Sequence, residues 1–194
     1  MGEPGRVLTE RHRRSCQGFG AVVEAVPADG WAAPTPCSEW DARALVEHVI
    51  GFHEFLLLRP AGVRAERPRE GTAARWAATE LAIELALGHP GLSRRVAYFD
   101  GDTRRPVDVL AAITGDVVIH TWDLARSVGA PEELDADLCA TALDAAPATL
   151  GASDRSGLFA PPVPIGSDAS TQDRLLAVRG RDPHWRPSTL TGPA

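Results

Sequence analysis

The sequence predicts an all-α fold, a bundle of helices with an extra helix and an irregular C-terminal tail. Three observations predict it. Apolar residues recur at helical spacing through several long segments. Those segments are separated by Pro and Gly clusters rather than by hairpin signals. Strand-type patterning is scarce, with one short candidate at 96–99.

A first helix is expected over 5–26, where Val7, Leu8, Phe19, Val22, Val23 and Val26 supply much of the apolar surface. The segment 27–36 is a loop punctuated by Gly30 and three prolines. Ser38-Glu39-Trp40-Asp41 reads as a capping box, its hydroxyl and carboxylate placed to satisfy orphan backbone N–H groups. The second helix follows to about 58 and is ended by Arg59-Pro60-Ala61-Gly62. A third runs over 72–87 and stops at Gly88-His89-Pro90. The stretch 94–105 is irregular, with the short strand at 96–99 and a turn at Asp100-Gly101-Asp102. Pro106 opens a long fourth helix reaching Ser127, with Gly129 as its C-cap. Pro131 starts a fifth, to about 150, and the Pro/Gly-rich tail from 151 holds one short helix near 172–178. With no internal repeat, 1–194 is expected to be one domain, its bundle core over about 5–150.

Composition excludes several classes of function. A formal net charge of −6 argues against nucleic acid or an anionic membrane as partner. Apolar runs such as 117–119 are far too short to span a bilayer. Met1-Gly2-Glu3-Pro4-Gly5-Arg6 lacks the apolar stretch and cleavage site of a signal peptide, so a cytoplasmic protein is expected. Cys16, Cys37 and Cys139 are odd in number and scattered, neither a disulfide framework nor a thiolate zinc site. The chain has no lysine, which excludes a Schiff-base enzyme and a P-loop. It has no asparagine either, and with its many Ala, Gly, Arg and Pro this points to a high-GC genome.

On a helical wheel Leu45, Val49, Phe52, Phe55 and Leu56 share one face of the second helix, and His48 lies within it. Val109, Ile113, Val117 and Leu124 form the buried stripe of the fourth, with Asp116 at its edge and His120 within it. These two are four residues apart and so stack one above the other. A carboxylate facing a core costs several kcal/mol, on the order of what buried charges cost, unless it is compensated. One divalent ion would compensate His48, Asp116 and His120 together, and two imidazoles with a carboxylate suit zinc, with nickel or iron as alternatives. Two ordinary readings compete: a hydrogen-bonded core histidine, and an Asp116–His120 ion pair.

A resemblance adds to this. Trp31, Pro34-Thr35-Pro36-Cys37-Ser38-Glu39-Trp40-Asp41 and Leu45-Val46-Glu47-His48 resemble the opening of actinobacterial proteins of the DinB-like superfamily, in particular the metal-binding N-terminal domain of mycothiol-dependent maleylpyruvate isomerase. Asp116-Val117-Val118-Ile119-His120-Thr121-Trp122-Asp123-Leu124-Ala125 resembles that family's second block. Phe159-Ala160-Pro161-Pro162-Val163-Pro164, Gln172-Asp173-Arg174-Leu175-Leu176-Ala177, Gly180-Arg181-Asp182-Pro183 and Trp185 resemble the tail of a short-chain subgroup. The resemblance implies a four-helix bundle in up-down-down-up order. It also implies a metal held by a histidine of the second helix and an acid-x-x-x-His pair of a later one, here His48, Asp116 and His120. Asp116 departs from the family's glutamate, one methylene longer. The isomerase carries a further C-terminal domain that contributes to its active site, and the segment after 151 is too short for one. What carries over is therefore metal-dependent thiol chemistry, with mycothiol as cosubstrate, rather than that isomerisation itself.

Two readings of function follow: a metal-dependent thiol transferase or isomerase acting on a small electrophile, or a non-catalytic metal-binding or stress-response module. A third is a bundle whose polar triad is satisfied by water. Homodimerisation is an expectation by analogy with related bundles only. Asp123 can orient His120, bind substrate or be a solvated helix charge, and Arg126 can neutralise an anion or lie at the surface. Cys37 sits by a helix N-terminus, where a thiol pKa falls, or packs under the loop. His53, about 140° round the helix from His48, should hydrogen-bond in a partly buried place. His12, His89 and His184 are expected in solvent, and the five tryptophans in packing.

Overall fold

The computed structural model describes residues 2–146 and 160–187. Among the described residues six helices of eight residues or more carry the fold: α1 Glu3–Ala25, α2 Ala42–His53, α3 Thr72–Gly88, α4 Pro106–Val128, α5 Ala136–Asp144 and α6 Thr171–Val178. A hairpin of β1 Val96–Ala97 and β2 Thr103–Arg104 precedes α4, with Val96 opposite Arg104. The expected strand is thus shorter than 96–99 and has a partner strand that the sequence did not signal. Asp100 accepts from Asp102 N–H and Gly101 takes φ +84°, and together they close the turn.

Side-chain pairs fix the directions of the bundle helices. Arg13 bonds Glu84 while Gly20 faces Trp76 and Glu80, so α1 and α3 run antiparallel. Arg43 meets Thr72 and Glu47 meets Arg75, so α2 and α3 run in step. His12 meets Thr114, Leu8 and Arg11 line one cavity with Ala111 and Thr114, and Ala21 and Val22 line another with Val118 and Thr121, so α1 and α4 are parallel. This is the up-down-down-up order, with α2 antiparallel to α4. Phe19, Leu45, Ile50, Ile83, Leu110, Ile113, Val117 and Leu124 are buried where the four helices meet. Each such side chain stabilises the fold by roughly 1.5–3 kcal/mol. A second apolar cluster joins the outer face of α4 (Val118, Ile119, Trp122) to Leu138 and Cys139 of α5 and Leu175 and Leu176 of α6.

The structure corrects four local expectations. Helix α2 is capped by Asp41 alone, which accepts from Ala44 N–H. Ser38 lies in a turn where Trp40 N–H bonds Cys37 C=O, pinned by the Thr35 hydroxyl donating to Trp40 C=O. Phe55 is exposed, because a π turn at Glu54–Leu58 inserts a residue and rotates Leu57 and Leu58 into the core instead. Val7 lies at the outer side of α1 and is likewise exposed. Helix α5 begins at Ala136, not at Pro131: Asp135 caps it through Asp137 and Leu138 N–H. The backbone of 131–134 bonds to Gln172 of α6 instead, at Leu134 N–H and Glu132 C=O. The expected end of the fifth helix near 150, and Phe159 of the tail motif, lie outside the described residues. No helix among the described residues is long and apolar enough to cross a membrane.

Candidate metal centre

Helix α2 presents His48 and the antiparallel α4 presents Asp116 and His120 to the same place. His48 Nε2 lies 3.5 Å from Asp116 Oδ2, and His120 Nε2 lies 3.5 Å from Asp116 Oδ1. One ligand atom of each residue falls within 4.8 Å of the others. Donors that share one tetrahedral ion at about 2.0–2.1 Å stand about 3.3 Å apart, so the spacing suits a bound cation. Asp116 Oδ2 is buried and makes no hydrogen bond. Burial by itself would raise the Asp116 carboxyl, but His120 and His48 outweigh it and hold the group far below the ordinary carboxylate range. Burial would likewise lower His120, yet the Asp116 carboxylate holds it well above its ordinary value. The space between the three side chains therefore draws positive charge, a proton on His120 or a cation in its place.

Behind His120 stands a second row of polar groups. Its Nδ1 lies 3.0 Å from Oδ2 of the wholly buried Asp123. A carboxylate there accepts from Nδ1–H, which leaves the Nε2 lone pair facing Asp116, the tautomer that a metal ligand needs. Asp123 also accepts from Arg181 Nη2 at 3.0 Å and from the Cys37 thiol at 3.4 Å, and Arg181 Nη2 lies 2.9 Å from the Cys37 sulfur. Burial would raise the Asp123 carboxyl, but His120 and Arg181 keep it low.

Arg181 reaches this place because of how α6 ends. Gly180 N–H bonds Ala177 C=O and Arg181 N–H bonds Leu176 C=O, a Schellman stop with Gly180 at φ +75°. A Cβ on Gly180 would stand 2.6 Å from Ala160 C=O, so only glycine fits. The chain turns sharply and drives Arg181 inward.

A cleft of about 500 Å³ opens beside the triad, lined by Phe52, Asp116, His120, Arg179 and Arg181 among others. The Trp40 ring lies 4.4 Å from that of His48, and the Phe52 ring stacks on His48 at 5.5 Å. A cleft of about 620 Å³ beside Glu54, Arg64 and Arg67 contains none of these groups.

The other singled-out residues fall as follows. Asp123 is no solvated charge: the buried pocket under His120 selects its orienting role. Arg126 forms an ion pair with Glu132, donates to Pro183 C=O and lies over the Trp122 ring, so its charge is neutralised within the chain and it holds the tail down. Cys37 faces Asp123 and Arg181 rather than only packing under its loop. His53 is wholly buried, bonded through Nδ1 to Val49 C=O. His12 is not in solvent but wholly buried, because the bundle closes over the middle of α1. His89 and His184 are exposed as expected. Arg181 and Arg179 are the site residues that sequence reasoning missed. The signal was the Gly180-Arg181 step, a helix-stop glycine next to a basic residue.

The family model for the mycothiol maleylpyruvate isomerase N-terminal domain matches residues 12–125, the stretch that contains all three residues of the triad. Two uncharacterised proteins of Mycobacterium tuberculosis strains are each 35% identical over 176 residues, which is 88% of this chain and 95% of the relative. No solved structure matches the chain. The family match covers more than half of the sequence and both helices that build the triad, and the chain belongs to the mycothiol maleylpyruvate isomerase N-terminal domain family.

Proposed function

We propose that the protein binds one divalent metal ion, zinc first among the candidates, through His48, Asp116 and His120. In this reading it is a thiol-dependent transferase or isomerase acting on a small electrophile. The observation that carries this reading is the buried Asp116 Oδ2, without a hydrogen bond, between two imidazoles at the edge of an open cleft. Three protein ligands leave a coordination position open, the pattern of catalytic rather than structural zinc. A bound divalent ion would supply stabilisation of a thiol's deprotonated form. Asp123 holds the His120 tautomer. Arg181, fixed between Asp123 and Cys37, places positive charge at the cleft wall, with Arg179 beside it, and this favours an anionic substrate or thiol. The family points to mycothiol as the thiol.

The first test is metal content by plasma mass spectrometry of protein purified without added metal, wild type against His120→Ala. About one equivalent in wild type and little in the variant is expected. Wild type that takes up no metal after reconstitution with zinc, nickel and iron would refute the reading. Turnover is then tested by following alkylation of an added thiol by a small electrophile in the presence of the loaded protein, the thiol proton being released to solvent as the sulfur–carbon bond forms. Metal held without turnover would assign the site to binding alone.

A further inference from the structure

A second group of potential ligands lies in the bundle interior and plays no part in the site above. His12 and Cys16 sit one turn apart on α1, and His53 ends α2 against them. Cys16 Sγ lies 3.7 Å from His12 Nε2 and 3.7 Å from His53 Nε2. All three side chains are shut off from solvent.

Counting protons shows that this group is one donor short. His53 Nδ1 is 2.7 Å from Val49 C=O, which can only accept, so Nδ1 carries the proton and Nε2 a lone pair. His12 Nδ1 is 3.1 Å from the Thr114 hydroxyl, whose own proton goes to Leu110 C=O. Thr114 therefore accepts from His12, and His12 Nε2 is a lone pair too. Burial, the largest influence, keeps both rings neutral, pushing His53 down to about 4 and His12 well below its ordinary value. Two lone pairs thus converge on one thiol that has one proton, leaving a buried acceptor unmet.

We propose that His12, Cys16 and His53 form a buried binding site for a soft d¹⁰ cation, with copper(I) the matching occupant. Three observations support it. Both imidazoles are already oriented by acceptors on their far nitrogens, the arrangement that metal-ligating histidines show. For an ion held trigonally at about 2.3 Å from sulfur and about 2.0 Å from nitrogen, sulfur and nitrogen stand about 3.7 Å apart. That is the spacing found here on both sides. Charge decides between ions: thiolate, two neutral imidazoles and a monovalent cation sum to zero, whereas zinc would leave a net positive charge in an apolar interior. Thiolate and imidazole are also the donors that soft copper(I) selects. Binding replaces the thiol proton, which leaves to solvent as the sulfur–metal bond forms. The π turn at Glu54–Leu58 begins directly after His53, and such turns recur at functional positions.

The test uses the full chain, refolded anaerobically with copper(I) so that a closed interior is no obstacle. Affinity is measured by competition with a chromophoric copper(I) chelator. Cys37→Ser should retain binding, and Cys16→Ser should lose at least about a hundredfold in affinity, more than the loss of an orienting neighbour causes. Retention within about threefold in Cys16→Ser overturns the proposal. X-ray absorption on copper-loaded Cys37→Ser gives a reading that needs no Cys16 variant. One sulfur and two nitrogens in the first shell supports the site. A shell of nitrogen and oxygen alone places copper at the His48–Asp116–His120 triad and overturns it.

Discussion

Replacing Asp123 by asparagine isolates the group on which the second row depends. Its Oδ2 accepts from His120 Nδ1, Arg181 Nη2 and the Cys37 thiol, all while wholly buried. Asparagine keeps the shape, but its one carbonyl oxygen cannot serve that whole set, and its NH₂ must turn toward another donor. The Arg181 side chain, 11% exposed, is left without its counter-ion. Stranding one partner of a buried pair costs about 3–5 kcal/mol. Because Arg181 keeps some access to water, the lower end, about 3 kcal/mol, is expected. Each kcal/mol moves the melting point of a chain this size by about 2–4 °C, so Tm should fall by about 6–12 °C. His120, no longer held in one tautomer, should bind metal about 10–100-fold more weakly. Thermal melts in the presence of a chelator give the first quantity, and zinc titration against a chromophoric competitor gives the second. A folded Asp123→Asn protein that binds zinc within about threefold of wild type would refute the orienting role, whatever its melting point.

Gly180→Ala should destabilise the protein by about 1–3 kcal/mol, the usual cost of a side chain held at positive φ. It should also weaken zinc binding by withdrawing Arg181, and an unchanged melt would disprove the Schellman stop. His53 makes the metal-free protein sensitive to acid. The unfolded chain takes up a proton near pH 6.5 that the folded ring refuses until about 4, so the unfolded state binds more protons in that window. Stability therefore falls as pH drops from about 6.5 to about 4, by about 3 kcal/mol from this group. Urea unfolding of wild type against His53→Gln at pH 7 and pH 4.5 cancels other titrations, and a difference that does not change with pH disproves the assignment.

The family match and the triad geometry meet on residues that the primary structure makes visible, and the reason is local. Helical spacing puts Asp116 and His120 one turn apart and sets His48 into an apolar face, because side chains four residues apart stack on any helix. The Gly129 stop, the Asp41 cap and the Pro106 start are equally local, decided by backbone groups within one turn. From these, the number of bundle helices and the identity of the candidate ligands follow from the sequence alone.

Only the tertiary structure decided the rest. Arg181 is separated from Asp123 by more than fifty positions, and no periodicity links them. Their contact depends on the packing of α6 against α4 and α5 and on one glycine at a helix end. His12 looked like a polar residue near a terminus, yet helix packing encloses it with Cys16 and His53, since burial depends on what faces a helix rather than on the helix itself. The π turn after His53 and the late start of α5 likewise reflect core packing and distant hydrogen bonds outweighing local preference. Short-range rules thus determine which residues share a face, and long-range packing determines which faces meet.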